Sequence, residues 1–310
     1  MINIRWTQES ATGSVTLTFR TDRLEETVTL RLADPEADAL DDLVASTHRQ
    51  LVAPSAQHGR TVLRSRLDED GVVGVPGFLT ADAVAELLDE CRRLEPWAGV
   101  RTDHRSVFGR READPRLGST WVAGHLTRDM FPPHSVAQRL YVSPVFKQLV
   151  ASIVGVTHVY EYADPLAGLV CTVLPPGGCY GWHYDTNEFV VTIAVGQPER
   201  GGEFEYVPDL RSPGHENLEG ARRIVAGLDR DHVRSVCAQP GDLQLFRGRY
   251  SLHRVAPVEG DRPRFTLVLS YSDRPGVIGP LDRTRRVYGR VTEQHLLAAN
   301  GRLAADGLAL

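Results

Sequence analysis

Gly181-Trp182-His183-Tyr184-Asp185 sets two side chains that can bind a metal two residues apart, and Tyr250-Ser251-Leu252-His253-Arg254-Val255 supplies a third far along the chain. In an extended segment, residues two apart point the same way and lie roughly 7 Å apart. His183 and Asp185 can therefore grip one ion while Tyr184 faces elsewhere. The third ligand must arrive on a distant strand that pairs nearby, and His253 is the best candidate. No other feature constrains the fold as much, because it obliges two remote extended segments to lie side by side. Two imidazoles and one carboxylate on one face of a divalent first-row metal leave three positions open.

A lone His-x-Asp is common, and a buried His is more often a hydrogen-bonded core residue than a ligand. Its surroundings shift that balance here. The motif occurs once in the chain, follows the turn run Leu174-Pro175-Pro176-Gly177-Gly178 and precedes an apolar run. His253 likewise sits between a turn and a strand.

The rest of the chain reads as α+β. Runs of alternating β-branched and polar residues predict strands at 3–7, 14–20 and 26–32. A helix follows, with Asp34 as cap, Pro35 at its first position, and Leu40, Leu43, Val44, Thr47 and Leu51 on one side. Pro54, Ser55 and Gly59 mark residues 52–59 as a linker, which divides the chain into an N-terminal extension (1–59) and a main domain (60–310). The extension clusters no catalytic residue types; packing, or the interface of a homodimer, is its expected role.

The main domain opens with a strand at 71–79 and a helix capped by Thr80, with Val84, Leu87, Leu88, Cys91 and Leu94 at helical spacing. After an irregular region rich in arginine and histidine (101–134), a helix runs from the cap Ser143 and Pro144 to Gly155. Short β-rich runs follow at 159–162, 169–174, 189–195, 202–207, 242–246 and 265–271. Short strands after helices predict a jelly roll with helices packed outside. A polar insertion at 208–239, helical from about 218 to 226, separates the halves of the metal motif and is a candidate lid.

Composition removes several classes. The net charge of −5 leaves no footprint for nucleic acid or an anionic membrane. The start of the chain lacks the form of a signal peptide, and no apolar run reaches bilayer length, so a cytoplasmic location is expected. Cys91, Cys171, Cys179 and Cys237 include no Cys-x-x-Cys pair and read as free thiols. Lys147, the only lysine, follows no glycine loop, which excludes a P-loop.

Taken together, His183-Tyr184-Asp185, His253 and Arg264-Phe265-Thr266 resemble the Fe(II)/2-oxoglutarate-dependent oxygenases, over roughly residues 71–271. The resemblance implies a double-stranded β-helix core, with His183, Asp185 and His253 on iron and O2 as oxidant. It also implies that Arg264 anchors the far carboxylate of 2-oxoglutarate, with Thr266 beside it. Guanidinium suits that task because it pairs with carboxylate in a planar, two-pronged way. Arg254 and Arg262 compete for the role, but one should face away from the metal and the other lies in a turn.

Residues 201–208 and 248–255 look most similar to the branch acting on free amino acids in specialised metabolism, which includes carrier-independent halogenases. Those halogenases replace the metal carboxylate with a small residue that leaves room for chloride. Asp185 fills that place here, so the resemblance implies hydroxylation of a small-molecule substrate. Arg105, Glu161 and Tyr288 are candidates for meeting the substrate's charges.

Three other outcomes compete. One is desaturation, or action on a carrier-bound or peptide substrate. Another is a jelly-roll sensor without turnover. The third is zinc hydrolysis, whose His-Glu-x-x-His signature is absent, since His215-Glu216 is followed by Asn217, Leu218 and Glu219.

Overall fold

The computed structural model describes residues 3–9, 14–20, 25–31, 60–107 and 118–300. Strands β1 (Asn3–Glu9), β2 (Ser14–Arg20) and β3 (Glu25–Arg31) form an antiparallel sheet in sequence order, where three strands were expected. The expected helix after Asp34 and the linker at 52–59 lie outside the described residues.

From residue 60 the chain forms α1 (Arg60–Asp70), β4 (Val72–Val75), α2 (Ala81–Leu94), β5 (Arg101–Ser106) and β6 (Gly118–Thr127). Helices α3 (Val136–Val142) and α4 (Pro144–Val154) precede β7 (Tyr160–Glu161), β8 (Leu169–Leu174), β9 (Tyr180–His183) and β10 (Val190–Gly196). Then come β11 (Arg200–Gly201), β12 (Phe204–Val207), α5 (Leu218–Val225), β13 (Arg234–Val236), β14 (Leu243–Phe246) and β15 (Leu252–Val255). The last elements are β16 (Val258–Glu259), β17 (Arg264–Leu269), β18 (Tyr271–Ser272), α6 (Leu281–Tyr288) and α7 (Glu293–Ala299). A seven-stranded sheet in the order β4-β14-β10-β17-β8-β6-β5 faces a four-stranded sheet in the order β13-β12-β15-β9 across a cavity that both line. This is the double-stranded β-helix.

The large sheet works because its strands alternate between two buried environments. On β10, Val191, Ile193 and Val195 enter the core, while Val190, Thr192 and Ala194 line the cavity. On β17, Phe265, Leu267 and Leu269 face the core, and Arg264, Thr266 and Val268 face the cavity. The core side is covered by helices: Leu63 and Leu67 of α1, Leu87 and Cys91 of α2, Leu140 of α3, and Phe146, Val150 and Ile153 of α4. Their starts and stops follow local chemistry. Thr80 caps α2 by accepting from the Ala83 N–H at 3.3 Å. Ser143 caps α4 by accepting from the Phe146 N–H at 3.2 Å, and Gly155, at φ +82°, ends it.

Several expectations need correction. The strand expected at 71–79 is confined to Val72–Val75. The region 101–134 is not irregular, since β5 and β6 pair through it and β6 joins β8. Their sequences hide this because their inward side chains are polar or aromatic and line the cavity. Helix α1 was missed because only Leu63 and Leu67 mark its buried face. The insertion 208–239 does more than cover the surface. Ala221 and Ile224 of α5 pack against Trp182 and Leu252 behind the small sheet, and β13 extends that sheet as an edge strand. Among the described residues no helix is long and apolar enough to cross a membrane.

One carboxylate gathers several of the ties between the C-terminal helices and the barrel. Asp164, fully buried, accepts from the Leu166 and Ala167 N–H groups at 2.8 Å each and from the Gly279 N–H at 2.8 Å, and it lies 3.0 Å from His295 Nε2. Asp164→Ala would strand several buried donors, at a cost of about 3 kcal/mol or more. Urea unfolding should register that loss, and limited proteolysis should cut before α6 earlier than in the wild-type chain.

Candidate metal centre

Strand β15 brings His253 opposite His183 of β9 as a register pair. Strand β9 stops at His183, so Asp185 lies just past its end rather than on a continuing strand as expected. Its N–H donates to Gly248 O at 2.9 Å, and that bond takes over the positioning. One ligand atom from each of His183, Asp185 and His253 lies within 4.8 Å of the others. Asp185 Oδ2 is 3.2 Å from His253 Nε2, and Oδ1 is 3.8 Å from His183 Nε2.

The imidazoles are fixed by the same device. His183 Nδ1 donates to Gly181 O at 2.8 Å and His253 Nδ1 to Ser251 O at 2.9 Å. With Nδ1 carrying the proton, each Nε2 keeps a lone pair for a metal. Burial, reinforced by His253, pushes the His183 pKa down to about 3, which keeps the ring neutral. Burial works to raise the pKa of Asp185, but His253 and then His183 hold it well below the usual carboxylate range. Neutral imidazole and ionised carboxylate are the forms that bind ferrous iron.

Small residues make room for this arrangement. A Cβ on Gly248 would stand 2.3 Å from Asp185 Oδ2, and one on Gly181 would stand 2.3 Å from Ser119 Cβ. Aromatic rings wall the pair: Trp121 packs on His183 at 4.3 Å, and Phe246 meets His253 at 5.0 Å.

Arg264 lies across the cavity, only 8 % exposed. Its Nη1 donates to Thr266 Oγ1 at 2.5 Å, while its buried Nε has no partner among the described residues. Burial lowers its pKa to about 10, which leaves it charged at neutral pH. A desolvated cation with an open donor is a site for an anion. The competing arginines are engaged elsewhere, Arg254 with Glu205 and over the Trp182 ring, Arg262 with Glu199 at 3.7 Å. The donor set and the orphaned guanidinium atom together fit ferrous iron and 2-oxoglutarate.

The cavity between these groups measures about 380 Å3. Of the candidate substrate residues, Arg105 and Tyr288 line it and Glu161 does not. Glu161 instead pairs with Lys147 at 2.9 Å and Arg128 at 3.6 Å, outside the cavity wall. Arg105 pairs with Asp103 at 2.6 Å and lies over the Trp121 ring, which in turn covers His183. Sequence reasoning missed Trp121, His125, Tyr180, Arg283 and Arg286, all on the cavity wall. Only the alternation of Trp121, Ala123 and His125 along β6 carried a signal for any of them.

A family model described as Halogenase D (HalD) matches residues 55–281. The chain belongs to the Halogenase D family. No curated protein matches it in sequence. Among solved structures, the non-haem α-ketoglutarate-dependent epimerase SnoN from nogalamycin biosynthesis superposes with a TM-score of 0.52 and 18 % identity, over 70 % of this chain and 81 % of its own. The carbocyclase SnoK of the same pathway gives 0.51 and 16 %, over 83 % of this chain and 94 % of its own. These likenesses concern the fold, which this Halogenase D member shares with Fe(II)/2-oxoglutarate oxygenases.

Three measurements test the centre. His183→Ala should lose Fe(II) in anaerobic titration, whereas Arg264→Ala should keep iron and bind 2-oxoglutarate at least about tenfold more weakly. Gly248→Ala changes no ligand but pushes Asp185 aside, and should weaken iron binding about 10- to 100-fold. A pH effect follows from His125, whose Nε2 lies 2.7 Å from Tyr180 Oη. Burial, then Arg105 and Arg101, lowers its pKa from 6.5 to about 4. The unfolded chain takes up this proton first, so its contribution to stability is complete above about pH 6.5 and is lost as the pH falls towards 4. His125→Gln should flatten that part of a plot of Tm against pH for the metal-free protein.

Proposed function

We propose that the main domain, residues 60–310, is an Fe(II)/2-oxoglutarate-dependent hydroxylase, with residues 1–59 an extension to it. It acts on an unactivated carbon of a small polar molecule bearing a carboxylate, a free amino acid or a derivative of one. The observation that carries this reading is Asp185, whose carboxylate sits between the two His Nε2 atoms and against Gly248.

Iron, 2-oxoglutarate and dioxygen together supply a C–H-oxidising chemistry with succinate and carbon dioxide as co-products. The chain's own part is positional. His183, Asp185 and His253 hold the metal on one side, Arg264 and Thr266 receive the far carboxylate of the co-substrate, and the aromatic wall excludes water. Arg105 and Tyr288 line the space left for the substrate.

The family description favours a second reading, halogenation. A halide would need the coordination position that Asp185 is built to take, and the ionised carboxylate repels a second anion at close range. The deciding experiment is anaerobic loading with Fe(II) and 2-oxoglutarate, then exposure to air in chloride buffer with a panel of small carboxylic acids. Succinate release coupled to a product 16 mass units heavier is expected. A chlorinated product would overturn the hydroxylase reading, and no charge-transfer absorption on loading would overturn the metal centre itself.

A further inference from the structure

Resting on that reading of the metal centre, the charges around the rest of the cavity narrow the substrate. The described residues that line it include four guanidiniums, Arg105, Arg264, Arg283 and Arg286, and one carboxylate, Asp185. Asp185 faces the metal, and Arg264 is committed to the co-substrate. Arg105 is offset by Asp103 at 2.6 Å. Two cations remain, and both belong to α6.

Arg283 and Arg286 are one helical turn apart, so they share a face of α6. Arg283 Nη1 donates to Thr186 Oγ1 at 2.7 Å and its charge reaches Asp185, while its other guanidinium N–H groups have no hydrogen-bond partner among the described residues. The Arg286 side chain makes no ion pair or hydrogen bond among the described residues. It also borders a small adjoining recess together with Arg101 and Arg105, where Asp103 is the lone carboxylate. Both side chains are exposed, and guanidiniums gathered around one space repel one another unless an anion joins them.

The helix that carries them is held in place. Tyr288 meets the His125 ring edge-on at 5.5 Å, Thr284 is buried, and the Gly279 and His295 contacts of Asp164 clamp both ends of the segment. The Halogenase D match ends at residue 281, where α6 begins. The chemistry thus lies within the family match, and these two arginines lie beyond it.

We propose that α6 is the specificity element of this enzyme and that Arg283 and Arg286 bind the carboxylate of a substrate with no free ammonium inside the cavity: an N-acylated amino acid or a dicarboxylic acid. No described lining residue supplies a carboxylate to face an ammonium, since Asp185 serves the metal. The remaining wall offers neutral partners such as Tyr162, Asn187 and Thr192.

Calorimetry with N-acetylnorvaline, glutarate, norvaline and norvalinamide tests this, on the protein alone and on the anaerobic Fe(II)/2-oxoglutarate complex. The acetylated acid or glutarate should bind at least about tenfold more tightly than norvaline, and the amide should not bind. Arg283→Gln and Arg286→Gln should each weaken the favoured probe about tenfold while the charge-transfer absorption forms as before. Arg285→Gln, on the same helix but not lining the cavity, should change nothing. Tightest binding by norvaline or its amide, no binding by any probe, or unchanged affinity in both variants would overturn the proposal. Loss of the absorption in the unmodified protein would instead reject the metal centre, while the probe ranking on the protein alone would still judge the arginines.

Discussion

The register pair between β9 and β15 is the interaction on which the site depends. It sets the two imidazoles 4.1 Å apart, centroid to centroid, with both Nδ1 atoms tied to backbone carbonyls two residues earlier. Because side chains alternate along a strand, a slip of one residue in either strand would turn its His outward and bring Trp182 or Leu252 into the cavity. Trp182 and Leu252 guard against such a slip by anchoring the opposite face against α5. The apolar cluster behind the small sheet therefore holds the metal site in register, and the insertion between its halves contributes to that cluster.

The large sheet serves a complementary purpose. Its cavity face tolerates a nearly buried arginine because β17 is flanked on both sides, by β10 and β8, and its core face is covered by helices. Arg264 is thus rigid and desolvated, with its Nη1 fixed by Thr266. Such a cation destabilises the protein by itself and is retained where an anion completes it. Arg283 and Arg286, by contrast, are exposed, which suits a ligand that must come and go.

Much of the proposed centre was legible in the sequence because its residues announce themselves by chemistry and, for His183, His253 and Arg264, by strand alternation as well, whereas Asp185 lies past the end of β9. His183, Asp185, His253 and Arg264 are brought to one cavity as expected, and Arg254 turns outward as a neighbour of an inward ligand must. The failures share a cause. Strands β5 and β6 face the cavity with Arg105, Trp121 and His125, so their inward positions lack the apolar pattern by which strands are found. Glu161 looked like a substrate partner, but tertiary packing gives it two cations outside the cavity. Arg283 and Arg286 sit on a helix of low apolar content, whose place over the barrel depends on Asp164, more than a hundred residues away in sequence. No local signal carries that information.

Membership of a halogenase family and possession of a metal carboxylate are compatible once the two are traced to different atoms. The family match spans residues 55–281, which take in the barrel and the helices behind it and not position 185 alone. The choice between a protein carboxylate and a halide turns on the side chain at 185 and on the space beside it. That space is filled here, since Asp185 Oδ2 occupies the volume that a Cβ on Gly248 would contest, and its backbone N–H is bonded to Gly248 O. Shortening Asp185 to alanine would open a pocket the size of a carboxylate beside two unchanged imidazoles and remove one negative charge. The same barrel would then offer an anion a place beside the two imidazoles, so position 185 is where the hydroxylase and halogenase readings of this site part.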